Sequence, residues 1–252
     1  EKENTVRIED RISVMVMTHI VDVSTNPYLE NTMLFDTIQS SHDKLGLGGA
    51  QYYLYIDKVM EDNYPELFKQ YYDNIQNRLT KEFNHINVDI VEDRQELMRG
   101  NWWHMIDNCD TPYFLFLEHD WEFVEKIPTI DIIDKMDKYE HFNYLRFPYT
   151  YMGPGGPSHW DSHDGGYPIS REEEIDLPMT KCIFYSANPH IVSTERCKEF
   201  YKPIHQQYWS DRTKGTRELE KELADIIKSD VAEIGGEETH KKWGSFIYGV
   251  WG

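Results

Sequence analysis

The sequence predicts an α/β fold with a mostly parallel central sheet flanked by helices, and a smaller region of different pattern in its second half. Three observations predict it. Near-continuous apolar runs of strand length recur through the first half, as in parallel strands covered on both faces. Segments with helical spacing separate them, so strand and helix alternate four times in about 120 residues. The runs also end on polar side chains, and in such sheets ligands bind outside the carboxyl ends of the strands.

The elements follow in order. "RISVMVMTHIV", 11–21, is the first strand; it ends at Thr18 and His19, before a polar loop with Asn26-Pro27. "YLENTMLFDTIQSSHDKL" places Leu29, Met33, Leu34 and Ile38 at helical spacing, and "GLGG" breaks it. "AQYYLYIDK" is a second strand closing on Asp57, and "YPELFKQYYDNIQNRLTKEF" a helix. "INVDIVED" is a third strand with Asp93 at its end. "RQELMRGNWWHMIDNC" is a helix interrupted or bent at Gly100, and "PYFLFLEHDWEF" carries the fourth strand. His19, Asp57, Asp93, Glu118 and Asp120 would then converge on one rim.

The second half reads differently. "HFNYLRFPYTY" is a strand, and "CIFYSANPHIVST" a strand pair or a strand and turn. "TRELEKELADIIKSDVAEI" is an amphipathic helix, and the end is Gly-broken and aromatic. Between them, "MGPGGPSHWDSHDGGYPISREEEIDLP" is long, rich in Gly and Pro, and without periodicity. A loop of that length in a compact domain is usually functional, and 152–168 is read as a lid. The organisation expected is one domain over 1–252, with halves at about 1–125 and 126–252.

Composition narrows the class. The chain has 252 residues, 39% of them hydrophobic and 14% aromatic, enough for a sizeable core. Its formal net charge of -19 would repel a phosphate polyanion, which weighs against a nucleic-acid partner. Cys109, Cys182 and Cys197 form neither an even set nor a metal-type spacing, and read as thiols of a reducing, cytoplasmic compartment. No stretch reaches the roughly 18 apolar residues of a membrane span. The charged start, "EKENTVRIED", shows no signal-peptide pattern and no initiator Met, so the sequence reads as trimmed or as part of a longer protein.

The chemistry is concentrated where Tyr113 to Leu117 run into Glu118, His119 and Asp120. Residues two apart on an extended strand face the same side. Glu118 and Asp120 could then share one ligand, and hard carboxylate oxygens suit Mg²⁺ or Mn²⁺. A strand ending in solvated charges is the plainer alternative.

From "LMRGNWWHMIDNCDTPYFLFLEHDWEF" onward the chain resembles the GT-A glycosyltransferases, which transfer a sugar from a nucleotide-diphosphate donor. There a helix leads through a turn into an apolar strand ending in an Asp-x-Asp signature. Here the signature reads Glu118-His119-Asp120, with Glu at its first position. The resemblance extends to the viral enzymes that decorate capsid glycans. It implies a nucleotide sugar of UDP or GDP type as donor, Mn²⁺ or Mg²⁺ as cofactor, and a glycan or other hydroxyl as acceptor. It implies Asp120 and Glu118 as metal ligands, Asp57 as reader of the nucleobase, Arg99 near the diphosphate or base, and Thr18 and His19 against the nucleoside. Downstream, "EETHKKWG" is implied to carry the general base, Glu238 or Glu237, and a metal-binding His240. The alternative for that stretch is an exposed, charged helix start, with Trp243 packing in either case.

The loop residues His159, Trp160, Asp161, His163 and Asp164 admit three readings: a sugar-binding platform built on Trp160, a second metal site, or an ordered loop. Other functions remain open on the same plan: a metal-dependent phosphohydrolase, or a glycan-binding module without catalysis. A nucleotidyltransferase is disfavoured, because residues 19–27 contain neither Lys nor Arg where such enzymes carry a Gly-rich basic loop.

Overall fold

Parallel strands build the first half of the chain. The computed structural model describes residues 7–20, 29–30, 32–91, 97–148, 167–183, 185, 188–209 and 219–249, and the chain divides into two units, 1–130 and 131–252. In the first unit the strands are β1 (Ile12–Thr18), β2 (Gln51–Ile56), β3 (Val88–Ile90) and β4 (Tyr113–Glu118). They lie in the order β3-β2-β1-β4, and every pairing is parallel. All of β1 is buried, as is β4 up to Leu117, which explains why both read as unbroken apolar runs.

Helices supply the crossovers. α1 (Thr32–Leu45) joins β1 to β2, α2 (Lys58–Asn63) and α3 (Pro65–Lys81) join β2 to β3, and α4 (Leu97–Asn108) joins β3 to β4. Pro65 opens α3 at a position where a missing N–H costs nothing. Phe68, Tyr71 and Ile75 then form its buried stripe. Of the expected interruption or bend at Gly100, the interruption is absent: α4 runs unbroken from Leu97 to Asn108. A helical Gly costs about 1 kcal/mol, and burial of Trp102, Met105 and Ile106 on the same helix outweighs that.

The second unit is a mixed α/β arrangement. Its strands, β5 (Tyr144–Arg146), β6 (Tyr167–Arg171), β7 (Met179–Ile183), β8 (His190–Ser193) and β9 (Ser245–Tyr248), lie in the order β8-β5-β9-β7-β6. Only β5 and β9 pair in parallel; β5/β8, β6/β7 and β7/β9 are antiparallel. α5 (Thr129–Lys138) leads into β5. α6 (Thr194–Arg196), a π-helical turn over Cys197–Tyr201, and α7 (Lys202–Trp209) follow β8. α8 (Leu219–Ile234) and α9 (Gly236–Trp243) precede β9.

One expectation changes here. The structureless stretch expected over 152–178 contains β6, so the last two residues of the assigned lid, Tyr167 and Pro168, are strand. The rest of that lid, 152–166, lies outside the described residues. The Gly-broken, aromatic C-terminal stretch carries β9. The three cysteines are free, and all are buried.

Trp243 is fully buried, and its ring meets those of Phe200 and Tyr201. Its indole Nε1 donates to Asp230 Oδ2 at 2.7 Å, tying α9 to α8, and its carbonyl accepts from the Tyr201 hydroxyl at 3.0 Å. Gly244 closes α9 in the left-handed region, φ 63°, its N–H donating to the His240 carbonyl at 2.7 Å. A Cβ there would stand 2.5 Å from the His141 carbonyl oxygen. Left-handed strain alone costs about 1–3 kcal/mol. Gly244→Ala is therefore expected to lower unfolding free energy by about 2 kcal/mol or more, measured by denaturant titration; an unchanged midpoint would show that the turn relaxes freely.

Candidate functional site

The carboxyl ends of β2, β1 and β4 form a continuous rim. Register fixes the neighbours: Thr18 stands opposite Ile56, the residue before Asp57, and Met17 stands opposite Glu118. The Asp57 N–H donates to the Thr18 carbonyl at 3.0 Å, so the two strand ends are tied together. Asp57 and Glu118 are half-buried, while His19 and Asp120 are exposed. The ends of three adjacent strands thus lie side by side.

Thr18 is buried, and its hydroxyl lies 2.5 Å from the Tyr71 hydroxyl of α3. Tyr71 in turn donates to the His19 carbonyl at 3.0 Å, which leaves Thr18 as the donor to Tyr71. The Thr18 side chain is therefore committed to holding the end of β1. This pair presents the His19 imidazole, whose ring meets that of His119 edge-on with centroids 4.6 Å apart.

The signature itself departs from strand geometry. β4 ends at Glu118, and His119 and Asp120 form a turn, so strand alternation does not set the relation between the two acids. His119 is buried between them. Burial, and then the neighbouring His19, push its pKa down to about 4, against the opposing pull of Asp120 and of a hydrogen bond to the Met17 carbonyl. At neutral pH the signature therefore holds a neutral imidazole flanked by two carboxyl side chains.

In the second unit the predicted residues share α9. Gly235, at φ 82°, turns the chain from α8 into it. Glu237 and Glu238 are exposed in its first turn, and Glu238 accepts from Lys241 Nζ at 2.6 Å. His240 is buried, and its Nδ1 lies 3.0 Å from the Cys182 carbonyl. A carbonyl can only accept, so Nδ1 carries the proton and Nε2 the lone pair. Among the described residues Nε2 has no hydrogen-bond partner. Burial lowers the His240 pKa, the Cys182 carbonyl opposing it, which favours the neutral ring.

The remaining predicted residues divide. Arg99 is on α4, and its side chain lies outside the described residues, as do Asp93, His159, Trp160, Asp161, His163 and Asp164. Three residues at the rim were not foreseen: Tyr71, Thr37 and His119 as a structural group. A Tyr in the buried stripe of the helix after β2 was the only sequence signal for Tyr71.

The donor set suits a divalent ion. Among the described residues no group of three or more His, Cys, Asp or Glu side chains is gathered to hold a metal. An ion that shares substrate phosphates needs only one or two protein carboxylates, and Glu118 and Asp120 meet that in kind. In the second unit, His240 by itself has Nδ1–H fixed on a backbone carbonyl and an unprotonated Nε2, a form of histidine that can ligate a metal.

No family model matches the sequence, and no curated protein matches it. Solved structures do. One is CMP:2-keto-3-deoxy-manno-octonic acid synthetase complexed with CTP, at 6% identity and TM-score 0.49, covering 95% of this chain and 90% of that one. Another is 4-diphosphocytidyl-2C-methyl-D-erythritol synthase from Anaerococcus prevotii, at 11% identity and TM-score 0.45, covering 87% and 85%. A third is TarS 1–349 from S. aureus, at 15% identity and TM-score 0.40, covering 77% of this chain and 49% of that one. The chain thus spans about half the length of that TarS fragment. Likenesses of this degree carry no functional assignment. Among the described residues no helix is long and apolar enough to cross a membrane.

Proposed function

We propose that the chain is a metal-dependent glycosyltransferase of GT-A type, moving a sugar from a nucleotide-diphosphate donor to a hydroxyl acceptor, with a glycan as the acceptor. The observation that carries this reading is the Glu118-His119-Asp120 turn at the end of a buried parallel strand, beside the ends of β1 and β2. Ligands bind at such rims, and acids there suit the cation of a nucleoside diphosphate.

Each residue then has a task. Asp120 and Glu118 hold Mn²⁺ or Mg²⁺. When bound, the ion supplies Lewis-acid neutralisation of charge on the departing diphosphate. His19 packs on the nucleoside, with Thr18 and Tyr71 fixing its backbone. Asp57 accepts hydrogen bonds from the nucleobase, and Arg99 pairs with the diphosphate. Glu238, or Glu237, removes the acceptor proton. His159, Trp160, Asp161 and His163 hold the acceptor sugar. Fixing donor and acceptor together removes several kcal/mol of barrier through orientation alone.

Thermal unfolding with UDP, GDP and other nucleotides, each with and without Mn²⁺, tests this. A ligand at 100 times its Kd stabilises by about 2.7 kcal/mol, which is a rise of roughly 5–10 °C for a chain of this size. The rise is expected only when a nucleoside diphosphate and the metal are both present. No rise with any nucleotide would overturn the reading in favour of a glycan-binding module. Phosphate release without any acceptor would favour a phosphohydrolase.

A further inference from the structure

The turn after β4 is held far more firmly than two solvated acids require. Thr37 Oγ1 donates to the His119 carbonyl at 2.9 Å. Four residues on, the Phe123 N–H donates to Ser40 Oγ at 3.0 Å. Four residues further, the Ile127 N–H donates to the Lys44 carbonyl at 2.9 Å. Residues 37, 40 and 44 lie on one face of α1, and the last is one of the carbonyls that a helix end leaves without an internal partner. Helix α1 is therefore a splint along 119–127.

His119 joins this splint to the sheet. Its carbonyl is held by α1, while its ring is buried and hydrogen-bonded to the carbonyl of Met17, the β1 residue opposite Glu118. The same ring meets His19 edge-on. One residue thus ties α1, β1 and β4 together between the two acids, and touches the side chain presented by the neighbouring strand. A residue free to turn toward solvent would do none of this.

We infer that His119 is a positioning residue: through its ring hydrogen bond and its carbonyl it sets the turn that presents Asp120, and the orientation of His19, for a metal-bound nucleoside diphosphate. This rests on the reading of the rim given above. The residue acts through its neighbours and needs no contact with the ligand.

The test compares His119→Phe, which keeps a ring and removes the donor, with His119→Asn and His119→Gln, which restore an N–H near one or the other ring nitrogen. Thr37→Val removes the second tether at nearly constant shape, and stands in should the Phe variant fold poorly. Two quantities are measured: amide hydrogen exchange over 118–123, and affinity for Mn²⁺ with UDP or GDP by calorimetry. Partners that orient metal ligands contribute about 10–100-fold to affinity. His119→Phe is expected to lose affinity in that range and to speed exchange at 119–121, with β4 still protected. One of the two amide variants is expected to recover affinity to within a few-fold. Thr37→Val is expected to move both readouts the same way by less. Unchanged exchange in His119→Phe and Thr37→Val overturns the inference, as does faster exchange with undiminished affinity. Wild-type chain that binds neither metal nucleotide overturns the reading of the rim itself, and this inference with it, a result distinct from a wild type that binds and a variant that binds equally.

Discussion

Asp120→Ala is expected to abolish metal-dependent donor binding while leaving the fold intact. Asp120 is exposed on a turn, and exposed substitutions away from special backbone sites usually change stability by no more than about 0.5 kcal/mol. The substitution therefore separates ligand binding from folding. Groups that merely orient a metal ligand contribute about 10–100-fold to metal affinity, so removing a direct carboxylate ligand should cost more than ~100-fold. Calorimetry with UDP or GDP and Mn²⁺ reads this directly. The expected result is loss of the metal-dependent heat with an unchanged unfolding temperature of the free protein. Retained affinity in the variant would remove Asp120 from the ion and the ion from the rim.

The first half was legible because its strands are buried on both faces. A strand such as Ile12–Thr18, with every residue buried, can only be written as an apolar run, and its polar terminus marks the rim. Elements without that contrast were missed. α2 reads KVMEDN, with no apolar stripe to betray it. β9 is four residues between glycines, short enough to pass for a turn. α5 did carry a pattern, Ile132, Ile133 and Met136, all buried, and that spacing was not read. The helix is not interrupted at Gly100 because a local preference of about 1 kcal/mol yields to the burial of a neighbouring Trp.

The rim shows the same division between local and distant information. Which residues reach it follows from where the strands stop, so His19, Asp57, Glu118 and Asp120 were all readable. What holds them does not follow from local spacing. Thr37 and His119 are 82 residues apart in sequence, and Thr18 and Tyr71 are 53 apart. No periodicity records such pairs. Strand alternation also misled at Asp120, because it presumes an extended chain and β4 has already turned.

Glu238→Gln is expected to reduce sugar transfer by ~10²–10⁴-fold with donor binding unchanged. An acceptor hydroxyl attacks only as its proton leaves, and a carboxylate can take that proton where its isosteric amide cannot. Both acids of α9 stand in its first turn, and both are exposed. They differ in their neighbours. Glu238 is paired with Lys241 at 2.6 Å, so its charge is balanced within its own turn. Glu237 acts electrostatically on the buried His240 and favours that ring's protonated form. Glu237→Gln leaves the His240 ring neutral, so both variants should leave donor binding unchanged, and only Glu238→Gln should lose turnover. Steady-state transfer assays paired with calorimetry distinguish the two. Lost turnover with intact binding in Glu237→Gln, and full activity in Glu238→Gln, would move the base to Glu237. Full activity in both would remove the base from α9 altogether.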